Sequence, residues 1–274
     1  MIESDTWKVR EEDGLIYLTV PAFERSGLVR HCFTGRVGGF SPQPYDLNLG
    51  ISGGDDPENV LRNYEKIAYI IGSFPGNLVV SAQVHKDRIL RVGVLDRGKG
   101  VTRPREMEGI DGLITDRPQV GLVTIHADCV PLYFLDPVKK AIGLAHAGWR
   151  GTVQKIGKSM IERMQSDFGS DPADLLAAIG PSIGQCCFEV GEEVAEEFRR
   201  AFPEWQEKLI RAGEEEGKSY VDLWETNRQT MLAAGIPEEN ITVTQLCTAC
   251  HPDVFHSYRK TKSPGRMAAI LELI

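Results

Sequence analysis

Apolar residues fall into two kinds of run along this chain, and the spacing in each predicts an element. Between 57 and 71, Val60, Tyr64, Ile67 and Ile71 recur every three or four residues, the period of one helix face. Asp55 or Asp56 precedes the run as a cap, and Pro57 stands in the first turn, where its missing N–H does no harm. Gly72 and Pro75 end it. The same period predicts a helix over 152–169, with Val153, Ile156, Met160 and Met164 on one face and Gly169 as C-cap. A third helix is expected from Glu192, with Val194, Phe198 and Phe202 as its buried stripe, and a fourth over 221–234.

Shorter runs rich in β-branched residues predict strands at 14–20, 27–33, 175–180, 241–246 and 267–274, the first two separated by a Pro-containing loop. Residues 78–92 read as a strand pair or one bent strand, with His85 near its middle. The segment 34–56 is dense in Gly and Pro and reads as a long ordered loop, 93–108 as another, and 204–219 as a charged peripheral stretch. Strands and helices alternate without a strict βαβ rhythm, which predicts a mixed sheet in an α+β or α/β fold. No repeat or low-complexity linker divides the chain, so a single domain over 1–274 is expected.

Composition narrows the function classes. The chain is 42% apolar and 26% charged, with a net charge of −8. An acidic balance of that size argues against nucleic-acid or anionic-membrane partners. The first residues show no apolar signal region, and no apolar run approaches the roughly 18 residues of a membrane span. Six cysteines in 274 residues do not read as a disulfide framework. A cytoplasmic, monomeric protein is the expectation.

The chemistry concentrates in 121–152, where two apolar runs are each interrupted by one reactive side chain, Cys129 and His146, and joined by the short turn 136–140. A thiol beside an imidazole within apolar walls is either a metal site or a nucleophile with its base. Strand alternation groups His146 with Ile142 and Leu144 on an apolar layer, where an imidazole needs a partner. His126 lies three positions before Cys129 and should face away from it on a straight strand, as a hydrogen-bonded histidine. A catalytic zinc needs three protein ligands and an open position. His85 is the most plausible third ligand; His31, His251 and His256 compete, and spacing alone does not choose. The strand-to-helix turn 148–152 offers an anion site with Arg150 as a planar donor, and Arg36 and Asn48 supply donors in the glycine-rich loop. Cys247 and Cys250 form a CxxC without a second one; Cys186 and Cys187 do not supply it at the usual spacing, so these four read as mostly structural. The basic groups of 255–260 and Arg266 are surface charges or further anion contacts.

Taken together, TGRVGGFS, YDLNLG, QVH, ADCVPLYFLDP, IGLAHAGWRGT, AAIGPSIGQCCFEVG and FHSYRK with a later GR resemble the YfiH/laccase-domain family, also called multicopper polyphenol oxidoreductases. They occur in order from about 34 to 270. The resemblance implies a layered α/β/β/α fold of the α+β class with mixed sheets, similar to cytotoxic necrotizing factor toxins. It implies zinc bound by His85, Cys129 and His146, and so selects His85. It implies purine nucleosides and phosphate as substrates: phosphorolysis of adenosine, inosine, guanosine and methylthioadenosine, together with adenosine deamination. On that reading Arg36, Asn48 and Arg150 contact phosphate or nucleoside, and Asp128 supports the thiolate or carries a proton. Three positions depart from the usual pattern: His126 replaces a common Thr, His256 an aromatic residue and Lys260 an Arg. The first two leave substrate preference open. One rival is a Cys129/His146 hydrolase or amidase acting on peptidoglycan precursors, since some relatives are described as peptidoglycan editing factors. Copper polyphenol oxidation is a poorer rival, because six scattered histidines provide no paired HxH sets. A non-enzymatic structural zinc would need a fourth protein ligand.

Overall fold

Long apolar strands with few polar interruptions, such as 130–136, require cover on both faces, and the fold supplies it by stacking two sheets between helices. The structure is a computed structural model describing residues 2–51 and 53–274. One six-stranded sheet runs in the order β1 (Lys8–Glu12), β2 (Leu15–Thr19), β3 (Val29–Thr34), β15 (Met267–Leu273), β7 (Gly121–His126) and β4 (Leu78–Val80). The second runs β14 (Ile241–Val243), β10 (Leu176–Ile179), β8 (Val130–Asp136), β9 (Ala141–Ala147), β6 (Gly112–Thr115) and β5 (Ile89–Arg91). A small sheet joins β11 (Glu189–Gly191), β13 (Lys218–Val221) and β12 (Ile210–Ala212). Both large sheets are mixed: β4–β7, β10–β14 and β5–β6 pair in parallel and the other neighbours antiparallel.

Strand parity sorts the side chains into three cores. Leu122, Leu271 and Phe33 of the first sheet meet Tyr133, Leu135, Ile142 and Leu144 of the second in the layer between the sheets. The opposite parity of the first sheet, including Val80, Val123 and Ile270, packs under Tyr64 and Ile67 of α2 (Pro57–Ile70). The outer face of the second sheet, including Leu132, Phe134 and Ala145, is covered by Met160 and Met164 of α4 (Ile156–Phe168), Phe198 of α5 (Glu192–Ala201) and Met231 of α7 (Leu223–Ala233). The result is the expected α/β/β/α stack. Gly143 lets α4 lie close on β9; a Cβ there would sit 2.5 Å from Met160 Cε. The C-terminal strand β15 is buried at every residue and lies between β3 and β7.

The caps follow the expected chemistry. Asp56 accepts from the Glu58 N–H at 2.9 Å, and Gly169 closes α4 in the left-handed region at φ 68. Four expectations change. Residues 21–26 form α1 (Pro21–Ser26), too short for its periodicity to show, with Pro at its start and Gly27 as a left-handed cap. The helix expected over 152–169 divides at Lys155, φ 61, so that α3 (Trp149–Val153) precedes α4. Residues 78–92 are not a strand pair: β4 and β5 belong to different sheets, and His85 lies in the loop between them. The charged stretch 204–219 holds α6 (Gln206–Leu209), β12 and the start of β13, anchored by fully buried Leu209. The loop over 35–56 carries no strand or helix among its described residues, and Ser52 lies outside them. Among the described residues, no helix is long and apolar enough to cross a membrane.

One polar contact spans the middle layer. Tyr133 of the second sheet donates its hydroxyl to the Cys32 carbonyl of the first at 2.8 Å, with both residues fully buried. Tyr133→Phe should therefore lower stability by about 1–2 kcal/mol without changing the fold, since a buried carbonyl loses a partner. Urea denaturation checks this; an unchanged midpoint would show that the bond contributes nothing between the sheets.

Candidate metal centre

The site forms where the middle layer opens at the ends of β7 and β9 and the start of β8. His146, next to last in β9, points with Ile142 and Leu144 into that layer, as alternation predicted. Cys129 does not lie on a strand. β7 ends at His126, and the chain turns through Ala127, Asp128 (φ 80) and Cys129 before β8 begins. His85 arrives from the loop after β4 with φ 62, an uncommon backbone state for a residue with a side chain. The ligand atoms of His85, Cys129 and His146 lie within 4.8 Å of one another. Gly148 passes beneath them; a Cβ there would sit 2.8 Å from His85 Cδ2 and 3.3 Å from Cys129 Sγ.

Asp111, absent from the sequence-based candidates, organises this group. It is fully buried just before β6. Its Oδ1 accepts from the His85 N–H and from His146 Nδ1, each at 2.9 Å, and its Oδ2 accepts from the N–H groups of Val84 and Lys86 at 3.1 and 3.0 Å. A carboxylate only accepts, so His146 Nδ1 is the donor and its Nε2 is left for a metal or a proton. The same residue thus shapes the His85 loop and sets the His146 tautomer. The only sequence signal for it is an acid between Ile110 and Gly112 at the start of an apolar run.

The electrostatics are those of an ion pair. Burial pushes the Cys129 thiol up, but the charge of His146 and hydrogen bonds from both histidines outweigh it and bring it down to about 6. Burial pushes His146 down, but the Cys129 thiolate and the Asp111 carboxylate outweigh it and raise it to about 9. Asp111 itself is raised by burial, yet held below its ordinary value by His146 and the backbone N–H groups. Without a metal, both shifts favour a thiolate on Cys129 facing an imidazolium on His146.

The donor set fits zinc: two imidazoles and one thiolate, with a carboxylate behind one histidine. Among the described residues no fourth Cys, His, Asp or Glu joins the group, so its remaining side is open. A cavity of about 570 Å³ lies over it, walled by Ile125, Trp149, Phe188, Leu223 and Tyr258. Arg105, Arg259, Lys262 and Arg266 also line it and make part of its edge cationic.

The other sequence candidates fall elsewhere. His126 is hydrogen-bonded as expected, but its ring lies 5.3 Å from that of His146, because the turn at Asp128 breaks the strand parity. Its nitrogens pair with Thr124 Oγ1 at 2.8 Å and the Cys129 carbonyl at 3.0 Å, so it braces the turn. Asp128 lines the cavity with both carboxylate oxygens engaged, accepting from Thr248 Oγ1 and the Arg259 N–H at 2.7 Å each. Arg36, Asn48 and Arg150 do not line it. Arg36 is paired with Asp46 and the Pro252 carbonyl; Asn48 is buried, bridging Gly50, Asp55 and the Arg266 N–H; Arg150 is exposed and stacks on Trp149. His31 accepts from the Val20 N–H, and His256 is buried against Ser263 and Gly265, so neither reaches the group.

Two outcomes follow. In metal-free protein, alkylation of Cys129 should rise with pH through about 6 and level off above it, because the thiolate forms there. A midpoint at an ordinary thiol value, read by mass spectrometry against pH, would contradict the pairing. Asp111→Asn should weaken zinc binding roughly 10–100-fold in a competitive chelator titration; unchanged affinity would remove Asp111 from its positioning role.

A family model described as multi-copper polyphenol oxidoreductase laccase matches residues 30–274. The purine nucleoside phosphorylase YlmD of Bacillus subtilis is 37% identical over 243 residues, covering 87% of this chain and 86% of its own. The adenosine deaminase RL5 of an unknown prokaryotic organism is 35% identical over 215 residues, covering 78% and 81%. The crystal structure of the Bacillus licheniformis hypothetical protein YfiH superposes with a TM-score of 0.90 at 36% identity, covering 97% of this chain and 99% of that one. The chain belongs to the YfiH, or multi-copper polyphenol oxidoreductase laccase, family.

Proposed function

We propose that this protein is a zinc-dependent enzyme of purine nucleosides, catalysing phosphorolysis of adenosine, inosine, guanosine and methylthioadenosine, and deamination of adenosine. The observation that carries the reading is a three-ligand group with an open side at the floor of an apolar cavity with cationic residues in its lining. The names of the relatives in Bacillus subtilis and of the RL5 deaminase support the substrate class. His85, Cys129 and His146 would hold the metal. Bound there, zinc would supply a Lewis acid and an acidified water. Asp111 keeps His146 Nδ1 protonated and Nε2 directed at the group. Trp149, Phe188 and Tyr258 offer faces for a purine.

Phosphorolysis needs a phosphate beside the ribose C1′, and Arg105, Arg259, Lys262 and Arg266 are the cations in the cavity's lining. Arg36 and Asn48 act one step back, by shaping the loop that carries Gly50 and the backbone of Arg266. Asp128 positions the cavity wall. We also propose that 1–274 works as one domain, since the last strand, β15, is central in the sheet that contains the first three. The six free cysteines support a reducing, cytoplasmic setting.

A second reading rests on the Asp111–His146–Cys129 array, which has the order of orienting acid, base and thiolate nucleophile. It makes the protein a hydrolase of amides such as peptidoglycan precursors, acting without metal through an acyl-enzyme. Copper oxidation fits less well, because the three-ligand group contains only two histidines.

Purified protein incubated with adenosine and phosphate should yield adenine with ribose 1-phosphate, and inosine with ammonia. Both should stop with chelator, return with zinc and fall to background in His85→Ala. Absence of all these products, with an acyl adduct on Cys129 in metal-free protein, would replace the first reading with the second. Lys262→Ala should raise the phosphate KM roughly fivefold, about 1 kcal/mol for one exposed charge, with little change in kcat; an unchanged KM would place phosphate elsewhere.

A further inference from the structure

Four cysteines that sequence spacing kept apart are gathered in one place. β10 and β14 are parallel neighbours at the edge of the second sheet, so the loops that follow them leave on the same side. The pairing continues past the strands as a parallel bridge between Ser182 and Cys247. Cys186 and Cys187 turn in the first loop, Cys247 and Cys250 in the second, and all four Sγ atoms lie within 4.8 Å of one another. The second pair that CTAC lacks in sequence is therefore an adjacent pair brought in by topology.

We propose that Cys186, Cys187, Cys247 and Cys250 form a second, closed tetrathiolate zinc site that staples the two loops behind the cavity wall. Four sulfurs around zinc at about 2.3 Å define a tetrahedron with edges of roughly 3.8 Å. Cys250 Sγ lies 3.6 Å from Cys186 Sγ and 3.5 Å from Cys187 Sγ. Two near-equal partners for one sulfur suit a shared cation and not a single disulfide. The Gly184 N–H points at Cys247 Sγ from 3.3 Å, the kind of backbone donor that stabilises a metal thiolate. Arg259 places its guanidinium beside the group, donating to the carbonyls of Cys187 and Glu189 at 3.3 and 2.7 Å, where it offsets the net negative charge of four thiolates on one zinc. Four protein ligands leave no open position, so the site is structural.

The staple acts on the first centre through Asp128. Ile183 of one loop donates its N–H to the Asp128 carbonyl at 2.9 Å, and Thr248 of the other donates its hydroxyl to the carboxylate. Asp128 immediately precedes Cys129. Holding the two loops together thus fixes the turn that presents the thiolate of the open site.

Zinc and cobalt alone serve as probes, so the test does not depend on any substrate. Zinc-loaded wild-type protein should contain two zinc ions per chain by native mass spectrometry, and His85→Ala and Cys247→Ser/Cys250→Ser one each. Cobalt-loaded His85→Ala should show the intense visible bands of tetrahedral tetrathiolate cobalt. The four thiols should resist iodoacetamide in zinc-loaded protein and react together after chelation. A single zinc in wild type that is lost in His85→Ala would overturn the proposal. So would free alkylation of the four thiols in zinc-loaded protein, or a disulfide from Cys250 to Cys186 or Cys187. Should the cysteine variant not fold, the metal count and cobalt spectrum of His85→Ala decide alone.

Discussion

The buried carboxylate of Asp111 is the constraint from which the first site follows. A fully buried charge is tolerated only when it is paired and hydrogen-bonded, and this one receives three consecutive backbone N–H groups and one imidazole. Those bonds hold the 84–86 loop in the conformation that gives His85 its positive φ. They also leave His146 with one nitrogen facing Cys129. A histidine from a loop and a histidine from a strand are made into one site by a single acid.

The stacked sheets provide the setting. The layer between them is mainly apolar, and the polar cluster of Asp111, His126 and His146 lies at one end of it, with the cavity beyond. In such surroundings the Cys129 thiol would stay protonated by itself; the histidines reverse that. The thiolate ready for a metal is therefore a product of the pair and not of cysteine alone. Fixed supports on several sides explain how a carboxylate and two histidines are held at this end of the layer.

How much of this was legible varies with how local the cause is. Parity along one strand placed His146 correctly, and helical period found α2 with its Asp56 cap and α4 with its Gly169 cap, because both patterns are written within a dozen residues. Parity failed for His126 against Cys129, since one residue at positive φ, Asp128, resets the direction of the chain. His85 came from family resemblance, as its position depends on a loop between two different sheets. Asp111 was invisible because a single acid in an apolar run carries no spacing. The donors of Arg36 and Asn48 that were expected to meet an anion are engaged within their own loop, by the Asp46 carboxylate and by the Gly50 carbonyl and Asp55 carboxylate. The cysteine cluster needed the parallel pairing of β10 and β14, a contact over some sixty residues that no short motif records.

The central claim is that His85, Cys129 and His146 together bind one metal and leave it open to the cavity. Crystals of zinc-loaded protein measured on both sides of the zinc absorption edge test this most directly. An anomalous peak within bonding distance of all three side chains, with the next neighbour a water, anion or nucleoside, is the predicted result. No peak among these residues, or a fourth protein side chain closing the coordination, would contradict it.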